Sequence, residues 1–127
     1  SHATDPGYGH WGFPADTCVQ DYPGQDAADC SSDSIDNEEV VVALPYVRKD
    51  TCMQINERMG VTNPTGDAPS DTDCYTAGGK YSGTFTEGGV IAGTALHGQP
   101  SGCFKQTTTC GAANAPYYVY YRVLIGR

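Results

Sequence analysis

Apolar and polar positions follow three regimes along the chain. Residues 1–37 show no period: Gly, Pro, Asp and Ser interrupt every short apolar run, so this stretch reads as turn and loop. The pattern then changes to "EEVVVALPYVRKDTCMQINERMGV". Val40 to Leu44 suit a short buried strand or the entry to a helix. Pro45 is well placed to open a helix; Val47, Cys52, Ile55 and Met59 then fall close to one helical face, with Arg48, Lys49, Gln54, Glu57 and Arg58 covering the rest. Gly60 supplies the stop, which predicts an amphipathic helix over residues 45–59.

Residues 61–80 return to loop composition. Strand formers follow around Phe85, from Val90 in "VIAGTAL", and in the closing "APYYVYYRVLIGR". In that last run Tyr117, Val119, Tyr121, Val123 and Ile125 share one face, with Tyr118, Tyr120, Arg122 and Leu124 on the other. Both faces are substantial, which predicts an inner strand. "GCFKQTTTC", just before it, predicts a hairpin whose ends are the two cysteines.

With 127 residues the chain is expected to form one domain, 1–127, in which 1–37 is a loop-rich segment and 38–127 carries a helix and a sheet. The expected class is α+β: a short amphipathic helix packed on a small antiparallel β-sheet, loop-rich and stapled by disulfides. Charge narrows the partners. Seven basic against fifteen acidic residues give −8, and only Arg48 and Lys49 are adjacent, which excludes a nucleic-acid or anionic-membrane surface. Six cysteines, with no CxxC and no Cys/His pair at zinc spacing, read as three disulfides formed in an oxidising compartment. The N-terminal segment has no apolar run of the signal-peptide kind, and "VVVALPYV" is too short to span a bilayer, so the chain reads as a processed or trimmed product.

Candidate chemistry is sparse. There is no GxSxG, HExxH or glycine-rich phosphate loop, and the histidines are His2, His10 and His97, of which only His97 lies in the organised half, where a surface loop is expected. No catalytic residue and no resident cofactor is expected. Oxygen ligands do gather at Asp67, Asp71 and Asp73, and at Asp33, Asp36, Glu38 and Glu39. Solvated acidic loops are the ordinary reading of both; calcium holding a loop in place is the functional one. The rings of Tyr8, Trp11 and Phe13 in "GYGHWGFP" would stack on a sugar or a protein if exposed, and burial at the end of a sheet is the expectation.

"VVALPYVRKDTCMQINERMGV", a glycine-rich stretch with "GTF", then "SGCF" and the terminal "YYVYYRVLIGR" together resemble the globular C-terminal part of bacterial type IV pilin-like proteins, the minor pilins and type II secretion pseudopilins. The resemblance covers roughly residues 38–127. It implies a short helix and a small antiparallel sheet packed on a long N-terminal helix, whose apolar half sits in the membrane before assembly and in the filament core afterwards. The prepilin cleavage motif and that apolar segment are absent from these residues; Ser1-His2 would suit the scar of a tag. The implied partners are other pilin-like subunits or a separate N-terminal helix, with membrane contact only through that helix. The implied location is the bacterial cell surface or exterior, reached through the periplasm. Val47, Ile55, Met59, Tyr117 and Tyr121 are then the assembly or core face.

Cys18 with Cys30 is the nearest pairing. Cys52 with Cys103 and Cys74 with Cys110 complete the favoured set, against the neighbour pairing of Cys52 with Cys74 and Cys103 with Cys110. Two functions follow: a non-enzymatic subunit of an extracellular filament or pseudopilus, or a secreted or surface binding module, carbohydrate-binding through Tyr8, Trp11 and Phe13.

Overall fold

The structure, a computed structural model, describes residues 11–13, 17–20, 22–23, 30, 40–72, 89–109 and 115–125. Its elements run β1 (Thr17–Val19), β2 (Val40–Val47), α1 (Lys49–Met59), β3 (Ser70–Asp71), β4 (Gly89–Ile91), a 3-10 turn (Thr94–Leu96), β5 (Ser101–Gln106) and β6 (Tyr117–Ile125). The main sheet has the order β2-β6-β5-β3. The α+β class therefore holds, with one difference: β3 joins β5 in parallel, and β1 pairs with β4 in a second, parallel ribbon. Within the main sheet, β2-β6-β5 is the antiparallel part.

The closing strand is the axis of the fold. β6 lies between β2 and β5, as its two substantial faces predict, and Tyr117, Val119, Tyr121 and Val123 point into the main core. Val41 and Ala43 of β2 and Phe104 of β5 join them from the same sheet face, while Val19, Ile91, Leu96 and Val61 close over it. Each buried Val, Leu, Ile or Phe side chain among these contributes roughly 1.5–3 kcal/mol. The approach over this face is close. A Cβ on Gly93 would stand 2.8 Å from the backbone oxygen of Ser70, so only glycine lets the chain after β4 pass the end of β3.

The helix begins later than the sequence suggests. Pro45 lies in β2, opposite Val119, and does not open α1. Pairing along nearly the whole of β6 outweighs one added helical turn, and Pro45, which has no N–H to give, falls where the ladder slips between Pro45 and Val47. Tyr46 takes up that bulge at φ 64°, an uncommon conformation for a bulky residue, and its ring packs 4.9 Å from that of Tyr117. Val47 is thus a strand residue. At the other end Gly60 stops α1 as expected, at φ 77° with its N–H on the Asn56 carbonyl.

Two further expectations change. "VIAGTAL" splits into β4 and the 3-10 turn, and β5 takes the terminal strand as its hairpin partner, not the residues leading to Cys110. The run around Phe85 lies outside the described residues.

Candidate functional site

The helix is fastened to the sheet at one point by two residues a turn apart. Cys52 forms a disulfide with Cys103 of β5, and Asn56, the next residue on the same buried stripe, bonds the backbone of Cys103 on both sides. The Cys103 N–H donates to Asn56 Oδ1 at 2.8 Å, and Asn56 Nδ2 donates to the Cys103 carbonyl at 2.8 Å. Further along the same edge of β5, the N–H groups of Lys105 and Thr107 reach the carbonyls of Pro69 and Asp71. Asn56 therefore continues, with a side-chain amide, the edge that β3 covers with backbone. Its second amide hydrogen goes to Asn63 Oδ1 at 2.9 Å, so this fully buried polar group is satisfied.

Cys18–Cys30 and Cys52–Cys103 form as in the favoured set, which rules out the neighbour pairing. Cys74 and Cys110 lie outside the described residues. Disulfides are the chemistry of an oxidising compartment. Among the described residues no helix is long and apolar enough to cross a membrane.

Asp67 and Asp71 are each engaged by separate protein donors. Asp71 is buried in β3 with Oδ2 accepting the Ala92 N–H, whereas Asp67 accepts from the Tyr118 hydroxyl at 2.9 Å, the Ala68 N–H at 2.8 Å and Lys105 Nζ at 3.2 Å. Lys49 Nζ stands 4.0 Å from the same carboxylate. Among the described residues no three acidic, His or Cys side chains are placed to hold a metal. Protein donors reach both oxygens of Asp67 and Oδ2 of Asp71; Asp73 and the acidic stretch 33–39 lie outside the described residues. His97 is exposed in a turn, its Nε2–H donating to the Ala92 carbonyl at 2.9 Å.

Desolvation pushes the Asp67 carboxyl up, but the Tyr118, Ala68 and Lys105 donors outweigh it and hold the group below its ordinary value of 3.8. Its partner Tyr118 is pushed up to about 12 by burial, the bond to Asp67 and the carboxylate's charge. A carboxyl depressed in the folded state stabilises fully above 3.8 and loses that contribution as pH falls through the folded value. Asp67→Asn is thus expected to be less stable than the wild type at neutral pH, with the gap narrowing as pH falls below 3.8 and through the depressed folded value. Urea midpoints across the acid range check this; parallel curves would contradict it.

On the outer face, beside the clamp, α1 and β2 leave an apolar groove of 300 Å³. Leu44 and Val47 of β2, Tyr120 of β6 and Ile55 and Met59 of α1 line it, with Thr51 and Arg58 on the helix flank and Trp11 at one side. Trp11 is 52% exposed and Met59 49%, and Leu124, two steps beyond Arg122 on the outward face of β6, is 50% exposed. The expected burial of the aromatic cluster is thus corrected. Gly12 bridges the edge of β2, exchanging both backbone bonds with Ala43, while the side chains of Trp11 and Phe13 stay exposed, Phe13 at 41%. Trp11 meets Tyr120 edge-on at 6.0 Å. Tyr8 lies outside the described residues.

The set Val47, Ile55, Met59, Tyr117 and Tyr121 divides accordingly. The first three border the groove, while Tyr117 and Tyr121 are buried on the opposite face of the sheet, where burial pushes the Tyr121 hydroxyl up. Sequence reasoning missed Asn56, Leu44 and Tyr120 as site residues. The available signal for Asn56 was its place four residues after Cys52, on the stripe that also holds Ile55 and Met59. No protein-family model, curated protein or solved structure matches the chain.

Proposed function

We propose that this chain is the globular head of a bacterial pilin-like subunit, acting outside the cell by assembly and surface contact and without catalysis. One observation carries the reading: α1 and the outer sheet face leave an apolar groove open, bordered by Trp11, Ile55 and Met59. A monomer gains nothing from presenting these side chains to water together, whereas an assembling subunit covers them. The motif resemblance from β2 to the end of β6 supports the same reading, as do the disulfides, which suit an extracellular life.

The test is incorporation. The full polypeptide carrying Trp11→Glu and Met59→Glu, expressed in its own host, should fold with an unfolding temperature near that of the wild type, since both side chains are already about half exposed. It should be missing from sheared surface filaments. Incorporation at wild-type level would contradict the proposal.

Exposure of Trp11 and Phe13 favours a second reading, a carbohydrate-binding surface. Trp11 is the single tryptophan, so its fluorescence reports this surface directly. A saturable change on adding soluble oligosaccharides would support that alternative; a flat titration would remove it.

A further inference from the structure

We infer that the outer groove receives the acidic stretch of residues 31–39 from a second copy of this chain. The inference rests on the assembly reading and names the partner of the same surface. Charge is partitioned along the sequence: the first 47 residues hold nine of the fifteen acidic residues and no Lys or Arg, so all seven basic residues follow from Arg48 onward.

Most of the cations placed by the structure already have partners. Arg48 Nε stands 3.4 Å from Asp50, and Lys49 and Lys105 both approach Asp67. Arg58 and Arg122 are exposed and make no ion pair among the described residues. Arg58 borders the groove. Arg122 follows Tyr120 by two residues on the same outward face of β6, opposite Val42, which puts it about 7 Å beyond the groove floor. Glu57, two residues after Ile55, falls on the other side of α1 and does not neutralise them. The surface is therefore an apolar floor with two guanidiniums near it that make no ion pair among the described residues, in a chain of net charge −8.

Residues 31–39, "SSDSIDNEE", have the complementary chemistry: Asp33, Asp36, Glu38 and Glu39 around a single large apolar residue, Ile35. Carboxylates pair with guanidinium forks, and Ile35 supplies the contact for the floor. Two copies of like net charge repel at a distance, but at physiological salt that repulsion is screened beyond about 8 Å, so the pairs in contact decide the outcome. A filament also holds neighbouring heads at roughly millimolar effective concentration, where a weak contact suffices.

Sedimentation velocity of the full chain tests this, at about 0.15 M salt and up to about 1 mM protein. Concentration-dependent self-association is expected. Arg58→Glu with Arg122→Glu should weaken it at least tenfold, and so should reversing Asp33, Asp36, Glu38 and Glu39 to Lys. Mixing the two reversed variants should restore association, because each then offers the other a matched pair of surfaces. Both arginines are exposed, so the fold is not at stake in their replacement. A wild-type chain that stays monomeric throughout overturns the inference, as does association indifferent to the arginine pair. The assembly reading is judged separately, by the polypeptide encoded before Ser1: a monomeric head with a prepilin leader upstream would remove this contact and leave that reading intact.

Discussion

Replacing Cys52 and Cys103 together by alanine is expected to lower the stability of the folded chain by about 4 kcal/mol. The bridge joins residues 51 apart in sequence, and closing a loop of that length removes much of the freedom of the unfolded chain. Domains of this size are stable by only about 5–15 kcal/mol, so the variant would stand near the edge of unfolding at body temperature. The loss falls on one contact in particular. Cys52 and Asn56 both tie α1 to β5, and among the described residues the cluster around Cys52 contains only Ala68 and Cys103 as other buried apolar residues, with Val47, Ile55, Tyr118 and Tyr120 partly buried against them. Guanidinium midpoints of the oxidised wild type and the double variant give the difference. A loss below about 1 kcal/mol would mean that the helix is held by packing alone.

Asn56→Ala is expected to cost about 2–4 kcal/mol, more than a helix-favouring substitution would suggest. Alanine is the better helix former, so propensity predicts a slight gain. The change, however, leaves the buried N–H and carbonyl of Cys103 facing an apolar methyl group, and each orphaned group carries a penalty of about 1–3 kcal/mol. Asn56→Asp keeps the acceptor for the Cys103 N–H but turns a second oxygen toward the Cys103 carbonyl and Asn63 Oδ1. It should be at least as damaging at neutral pH and partly recover in acid, where the added carboxyl can donate. Because Asn56 and Cys52 fasten the same residue, their losses should not add: once the disulfide is gone, the asparagine pair should be the remaining tie between α1 and Cys103. A double-mutant cycle measures that coupling, and strictly additive losses would refute the shared clamp.

These two residues also show what the sequence could and could not disclose. Cys52 was legible as a disulfide cysteine because cysteine chemistry announces itself, though its partner stayed open between Cys103 and Cys74. Asn56 was not legible, because its role depends on which strand edge the helix happens to cover. The inner position and the two faces of β6 followed from period-two alternation, which is local. Pro45 was misread because a proline fits a helix entrance and a strand bulge equally well, and only the long-range pairing with Val119 decides between them. β3, two residues long and paired in parallel with β5, has no local signature at all. For the groove, Val47, Ile55 and Met59 were visible as apolar positions, but Leu44, Tyr120 and Trp11 join them only through the β2-β6 register and the bridge of Gly12 to Ala43.

The most direct test of the assembly account is the coding sequence immediately upstream of Ser1. The account predicts a prepilin cleavage site followed by about 20 predominantly apolar residues, a helix long enough to wait in the membrane and then enter a filament. A conventional signal peptide ending just before this chain would contradict it and turn the exposed Trp11 and Phe13 into the place to look for a ligand.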